Sequence, residues 1–264
     1  MNIQKGGFTV KKLMKKIITE NLETYVYETR AEMGQAAGEA AAEVINRVLQ
    51  EKAYVNVIFA AAPSQNEMLA ALLKQNVDFS RVRAFHMDEY DGLTIDEEQS
   101  FARYLNDHIF SLEKFASVQY IPTHLGAEKA CEEYAKLLEE YPPDVVCMGI
   151  GENGHIAFND PPVADFHDPL KVKRIQLDEV CRMQQVHDGC FPTLDDVPKF
   201  AVTLTVPALM AAKYLVCTVP AATKANAVQA MLEGPYGECC PATALRKHTG
   251  AKMFLDADSA AKVM

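Results

Sequence analysis

The sequence lacks the excess of positive charge that a nucleic-acid surface or an anionic membrane surface requires. Its 264 residues include 26 Lys and Arg against 36 Asp and Glu, a formal net charge of -10 at pH 7. Proteins that bind nucleic acid concentrate Lys and Arg on the contacting face. We therefore predict no nucleic acid and no membrane as partners, whereas a small anion can still bind at a helix N-terminus beside one or two lysines.

Metal-binding cysteine spacing and long apolar runs are missing too. The seven cysteines include the adjacent pair Cys239-Cys240 but no C-x-x-C, so the sequence predicts neither a zinc site nor an even disulfide framework. The Lys-rich N-terminus has no apolar segment of signal-peptide length, and the most apolar stretch, residues 206–222, is interrupted by two prolines and a lysine. We therefore expect a cytoplasmic protein with reduced thiols.

Strand-like and helical segments alternate along most of the chain, and no internal repeat or low-complexity linker divides it. Residues 1–22 are polar and weakly periodic, which predicts an N-terminal extension or short helix outside the core, followed by a single α/β domain over residues 23–264. Such alternation is typical of an α/β doubly wound, mostly parallel sheet with helices on both faces, a Rossmann-like fold. The predicted strands are 23–30 at an edge, 54–62, 81–87, 118–121, 144–148, 171–177, 199–206, 214–219 and 252–256, and the predicted helices are 31–52, 99–112, 127–140 and 221–233.

The segment DVVCMGIGENGHIAFNDPP, residues 144–162, joins a buried strand to a glycine-rich turn. Its three glycines permit close approach of a ligand, and the turn ends at His155, a residue type that commonly serves as a general acid or base. This is the layout of an active site. The spacing also fits the dinucleotide motif G-x-G-x-x-G, but Pro161-Pro162 stops the long helix that this motif needs. A tight turn with a surface histidine is the structural alternative.

Three other features fall at the carboxyl ends of predicted strands, where ligands bind in doubly wound sheets. Ser64 and Glu67 form a capping box that predicts a helix N-terminus. Asp88 and Glu89 follow the next strand, and because strand side chains alternate, only one of them can face the crevice. Lys224 lies in the first turn of a predicted helix, where its ammonium and backbone N–H groups can converge on an anion. Surface carboxylates and a solvated lysine are the alternatives.

At these residues the sequence resembles the glucosamine-6-phosphate deaminase (isomerase) family, which is related to the 6-phosphogluconolactonase group. GIGENGHIAFNDP is similar to the family signature G-x-G-x-D-G-H-I-A-F-N-E-P, and FHMDEYDGL at residues 85–93 is similar to its second signature. The order of the elements agrees from about residue 25 to residue 255. The resemblance implies a homo-oligomer that converts glucosamine 6-phosphate and water into fructose 6-phosphate and ammonia without a metal or another cofactor.

The resemblance also implies roles for individual residues. His155 opens the pyranose ring with support from Asn153 and Asp160, and Asp88 moves the proton from C2 to C1. The residues expected to bind the substrate or its phosphate are Ser64, Gln65, Gly151, Gly154 and Lys224.

Three departures from the family pattern leave other functions open. The phosphate loop after the second predicted strand contains no glycine, and Asn153 is neutral where the family has a carboxylate. The arginine that the family places before its V-P-K segment is missing, which leaves Arg174 or Arg182 as candidate replacements. A non-catalytic sugar-phosphate sensor would keep Lys224 and lose charge around His155, although these 264 residues show no helix-turn-helix or similar partner-binding motif. A 6-phosphogluconolactonase-type hydrolase also uses a glycine-rich turn before a histidine, but the D-E-Y and I-A-F-N segments favour the deaminase.

Overall fold

The computed structural model describes residues 11–264. The strands are Leu13–Thr19 (β1), Leu22–Tyr27 (β2), Val55–Phe59 (β3), Val82–His86 (β4), Asp88–Tyr90 (β5), Ser117–Gln119 (β6), Val145–Met148 (β7), Val172–Gln176 (β8), Phe200–Leu204 (β9), Tyr214–Val219 (β10) and Ala251–Leu255 (β11). The α-helices are Arg30–Glu51 (α1), Asn66–Leu72 (α2), Phe101–Leu105 (α3), Ala127–Glu140 (α4), Glu179–His187 (α5), Val206–Met210 (α6) and Ala225–Glu233 (α7). Within residues 11–264 no helix is both long enough and apolar enough to cross a membrane.

The predicted doubly wound, mostly parallel sheet is confirmed. Eight strands lie in the order β1-β2-β11-β10-β7-β3-β4-β6, and every neighbouring pair except β1 and β2 is parallel. Alternate residues of the strands pack on opposite faces. In β3, Val57 and Phe59 pack with Ile45 of α1 in one hydrophobic cluster, whereas Ile58 packs with Tyr134 of α4 in the other. Both faces of the sheet are therefore covered.

The prediction for the N-terminal segment was wrong over residues 13–19. These residues form β1, which pairs antiparallel with β2 at the edge of the sheet. β2 lies between β1 and β11, so it is not the edge strand that the sequence predicted. An edge strand needs only one backbone partner and exposes polar side chains such as Lys15 and Lys16. Such a strand therefore lacks the apolar pattern by which buried strands are recognised in a sequence. Residues 1–10 of the predicted extension lie outside the described residues, and the single domain over residues 23–264 stays a prediction.

A second, smaller sheet lies beside the carboxyl end of β4. It contains three antiparallel strands in the order β5-β9-β8, so two predicted strands, 171–177 and 199–206, pair here and not in the main sheet. Only Met87 separates β4 from β5, and the chain turns there so that Asp88 pairs with Thr203. The second sheet thus holds Asp88 at the end of a buried strand of the main sheet.

Candidate active site

A cavity that is open to solvent lies at the carboxyl ends of β3, β4, β7 and β10. The predicted site residues that line it are Ser64, Gln65, Asp88, Gly151, His155 and Lys224. The other three do not line it: Asn153 and Asp160 contact the ring of His155, and Gly154 packs against Cys240. Parallel strands place their carboxyl ends at one edge, which is why segments so far apart in sequence meet here.

The ring of His155 is held by an amide and a carboxylate. Its Nδ1 lies 2.8 Å from Oδ1 of Asn153 and 3.0 Å from Oδ1 of Asp160. Oδ1 of Asn153 also accepts the backbone N–H of His155 at 3.0 Å, and Nδ2 of Asn153 donates to Asp160 at 2.8 Å. The reversed amide would place oxygen against carboxylate and N–H against N–H, so the observed orientation is favoured. Nδ1 therefore carries the proton, and Nε2 is left as the acceptor.

Asp160 supplies the negative charge beside this histidine. Burial by itself raises the pKa of Asp160, but the hydrogen bond and charge of His155, together with hydrogen bonds from Asn153 and Cys181, leave that pKa below its usual value. Cys181 lies close by, and the ligand atoms of these three residues fall within 4.8 Å of one another. Burial raises the pKa of the Cys181 thiol well above its usual value, so the thiolate that binds metals is disfavoured. The cluster therefore acts as a hydrogen-bonded support for the imidazole.

Gly151 and Gly154 of the turn are each required to be glycine, for different structural reasons. A Cβ at Gly151 would overlap the ring atoms of His155, so only glycine lets the imidazole lie against the backbone. Gly154 has a φ of +83°, and a Cβ there would lie 2.6 Å from Sγ of Cys240. Gly154 therefore packs against Cys240 and does not line the cavity, and its binding role stays a prediction.

Asp88 and Glu89 face different surroundings, as the alternation of strand side chains predicts. Asp88 lines the cavity, whereas the Glu89 carboxylate accepts the N–H groups of Tyr90, Phe101 and Ala102 at 2.8–3.1 Å and so holds the start of α3. Burial raises the pKa of Glu89 to about 7, although these hydrogen bonds act to lower it. Burial and the nearby charge of Glu89 raise the pKa of Asp88 well above its usual value.

The turn after β3 lines the cavity but has a different conformation from the predicted one. Residues Pro63–Gln65 form a 3₁₀ turn without a side-chain cap, so the predicted capping box of Ser64 and Glu67 was wrong. Glu67 instead forms an ion pair with Arg30 at 2.8 Å. The Gln65 amide donates to Oγ of Ser64 at 3.1 Å and to the carbonyl of Thr218 at 3.3 Å. This network fixes Gln65 between β3 and β10 at the base of the cavity.

Lys224 is the cation of the cavity, and only 6% of its surface is exposed. Its ammonium forms no hydrogen bond or ion pair within residues 11–264. Burial lowers its pKa, while the charges of Asp188 and Glu152 act in the opposite direction. A buried ammonium without a protein partner is costly unless an anion pairs with it. These features suit Lys224 to pair with an anionic group of a ligand.

Neither candidate replacement for the family's arginine reaches this cavity. Arg182 donates to the carbonyls of Leu194 and Val197 at 2.6 and 2.9 Å. Arg174 forms an ion pair with Asp91 at 2.8 Å on the surface of the second sheet. The suggestion that one of them binds phosphate is therefore not supported.

Two glutamines of the cavity, Gln184 and Gln185, were missed by the sequence analysis. They lie on α5, which was not predicted because its buried face carries polar residues and so lacks a clear apolar stripe. The available signal was Asp178, whose side chain accepts the N–H of Val180 at 2.7 Å and caps this helix.

Comparisons with known proteins show similarity to one family of enzymes. The family model of glucosamine-6-phosphate isomerases/6-phosphogluconolactonase matches residues 28–254. The chain is 31% identical over 223 residues to glucosamine-6-phosphate deaminases of Bacillus thuringiensis (strain Al Hakam) and Bacillus anthracis (strain A0248), covering 84% of this chain and 83% of each relative. A solved structure described as a monomeric glucosamine-6-phosphate deaminase gives a TM-score of 0.81 at 27% identity, over 90% of this chain and 99% of that chain. The 6-phosphogluconolactonase from Thermotoga maritima shares the fold, with a TM-score of 0.71 at 23% identity over 88% and 98% of the two chains.

Proposed function

Because the chain belongs to the glucosamine-6-phosphate isomerase/6-phosphogluconolactonase family and is an enzyme of the deaminase/isomerase type, we propose that it deaminates an amino-sugar phosphate. The proposed reaction converts glucosamine 6-phosphate and water, or a close hexosamine 6-phosphate analogue, into fructose 6-phosphate and ammonia. One observation carries this proposal: a single cavity contains Asp88, His155 and Lys224, which match the three demands of that chemistry.

His155 is proposed to open the pyranose ring. Ring opening moves a proton from the anomeric hydroxyl to the ring oxygen, and an imidazole can accept and return it. Nδ1 donates toward Asn153 and Asp160, so Nε2 is the nitrogen with a lone pair for the hydroxyl proton. The imidazolium formed in this step is stabilised by the Asp160 carboxylate at 3.0 Å.

Asp88 is proposed to transfer the proton from C2 to C1 of the open chain. The carboxylate takes the C2 proton and returns it to C1, while one proton of the substrate's ammonium group moves to the C1 oxygen. C2 is thereby oxidised to an iminium and the C1 aldehyde is reduced to a hydroxymethyl group. Water then adds to C2 and ammonia leaves. The raised pKa of Asp88 makes its carboxylate a stronger base than an exposed aspartate, which suits removal of a proton from carbon.

Lys224 is proposed to bind the phosphate. Its ammonium lines the cavity without a protein partner, just before the first residue of α7, where backbone N–H groups also favour anions. The sensor alternative has less support, because Asp160 supplies beside His155 the charge that Asn153 lacks. The lactonase alternative assigns no role in the reaction to the buried carboxyl group of Asp88.

Ammonia release tests the proposal. The purified protein is incubated with glucosamine, galactosamine and mannosamine 6-phosphates, and ammonia and ketose phosphate are measured together, with Asp88→Asn as a control for contaminating enzymes. We expect equal amounts of both products from at least one hexosamine phosphate. Hydrolysis of 6-phosphogluconolactone without ammonia from any amino sugar would overturn the proposal.

We also propose a homo-oligomer, as the family resemblance implies. β1 leaves one edge of the main sheet without a neighbouring strand within residues 11–264, and Leu13, Met14 and Ile18 are exposed there. Exposed apolar edges are suited to pairing between chains. A related deaminase is described as monomeric, so light scattering after size-exclusion chromatography tests this part separately from activity. A mass of one chain would overturn it.

A further inference from the structure

The carboxamide of Gln185 is a polar group that the mechanism above does not use. Its residue is 6% exposed and lines the cavity together with Lys224. The side chain makes no hydrogen bond to any residue in the described part of the chain. The carboxamide atoms are not among the fully enclosed polar atoms of the described residues, so they remain open to the cavity, where a ligand can hydrogen-bond them.

The position of Gln185 is fixed by its neighbours on α5. Oε1 of Gln184 accepts the backbone N–H of Glu152 at 2.9 Å, which ties the helix to the glycine-rich turn. Three residues beyond Gln185, the charge of Asp188 acts on the ammonium of Lys224. Gln185 therefore lines one cavity with the turn that carries the histidine and with the buried lysine.

The surroundings of Gln185 favour a neutral partner over a phosphate. Gln185 is in the last turn of α5, where the helix dipole is negative. A carboxamide offers two N–H donors and one acceptor oxygen. A sugar hydroxyl both donates and accepts, so it can satisfy both ends of this group, whereas a phosphate oxygen can use only the N–H end.

We propose that Gln185 binds the hydroxyl groups in the middle of the sugar chain and determines which hydroxyl configuration the enzyme accepts. This inference rests on the proposed function, because it takes a hexosamine phosphate as the ligand. Gln185 contacts carbons that do not react, so its loss changes the discrimination between epimers. A site built to hydrogen-bond a hydroxyl rejects a ligand that leaves its buried groups unpaired.

Titration calorimetry tests the proposal without relying on turnover. The probes are 2-amino-2-deoxyglucitol 6-phosphate, its galacto epimer, which differs only at C4, and inorganic phosphate. Wild type, Gln185→Ala, Gln185→Leu and Lys224→Ala are compared, with Gln50→Ala on the exposed face of α1 as a matched control. Circular dichroism shows that each variant is folded, and Gln185→Leu keeps the volume that Gln185→Ala removes.

In wild type we expect one alditol phosphate to bind more tightly than the other. Both Gln185 variants should lose about tenfold in affinity for the preferred epimer, narrow the epimer ratio toward one, and keep the wild-type affinity for inorganic phosphate. An unchanged epimer ratio, or a loss of inorganic phosphate binding as large as that in Lys224→Ala, would overturn the role of Gln185. Failure of wild type to bind either alditol phosphate would overturn the proposed function, and the role of Gln185 with it.

Discussion

The Asp160 carboxylate lies 3.0 Å from Nδ1 of His155, so the imidazole has an anionic partner although residue 153 is an asparagine. The Asn153 amide bridges the two groups, accepting from the histidine and donating to the carboxylate. The orientation of the ring and the charge beside it thus come from two different residues. Substitutions at the two positions should have different effects.

Asp160→Asn is expected to lower kcat by a factor of about 10² or more, because it removes the charge that stabilises the imidazolium. Asn153→Asp is the matched change in the other direction, and it should leave the rate of ring opening unchanged or raise it modestly. Rates of ammonia release at saturating substrate measure both. If Asn153→Asp destroys activity, the amide of residue 153 has a role that a carboxylate cannot take over, such as a hydrogen bond to the substrate.

Asp88→Asn is expected to abolish turnover and to leave the affinity for a linear sugar-phosphate analogue within a few-fold of wild type. A base that acts in the transition state contributes to kcat, typically about 10²- to 10⁴-fold. Asp96→Asn makes the same change at an exposed position and serves as the control. Near-normal kcat in Asp88→Asn would remove this residue from the mechanism.

The pH dependence of kcat/KM should reflect the raised pKa of Asp88. The base acts only when deprotonated, so activity is low at acid pH and rises as pH passes the pKa of Asp88, well above the usual carboxyl value of 3.8. Glu89→Gln removes the neighbouring charge, so it should lower the pKa of Asp88 and move this rise to lower pH. The exposed variant Glu98→Gln should leave the profile unchanged. A shift of the Glu89→Gln profile to higher pH would contradict the repulsion between the two carboxyl groups.

Lys224→Ala is expected to weaken phosphate-bearing ligands and to spare phosphate-free ones. The loss of one charge-assisted hydrogen bond should cost about 1.5 to 3 kcal/mol of binding free energy. Calorimetric titration with the linear amino alditol and its 6-phosphate measures the difference, and Lys114→Ala on the exposed surface is the control. Equal losses for both ligands would show that the ammonium does not contact the phosphate.

Residues whose surroundings are local in sequence were the ones that could be predicted. The buried strands before Asp88 and His155 have continuous apolar runs, and a parallel sheet brings the ends of such strands together, so the cavity follows from the order of the elements. The tautomer of His155 could also be predicted from the sequence, because Asn153 precedes it by two residues in the same tight turn.

The features that were missed depend on partners far apart in sequence. Residues 13–19 become a strand only because β2 offers its backbone edge. Ser64 cannot cap a helix because Pro63 begins a 3₁₀ turn and the Gln65 amide engages the hydroxyl of Ser64. Gln185 looks like a surface residue in the sequence, and only the docking of α5 on the glycine-rich turn buries it. Polar residues that tertiary contacts bury carry no apolar periodicity.

Asn153 orients the imidazole of His155 and Asp160 supplies the charge beside it, and this separation of roles affects how relatives are classified. A signature that requires an acid two residues before the histidine would place this chain among proteins with a lost active site. The carboxylate five residues after the histidine meets the same nitrogen, so the informative feature is the presence of an acid at either position. Chains with an amide at both positions form the group in which an inactive histidine is expected.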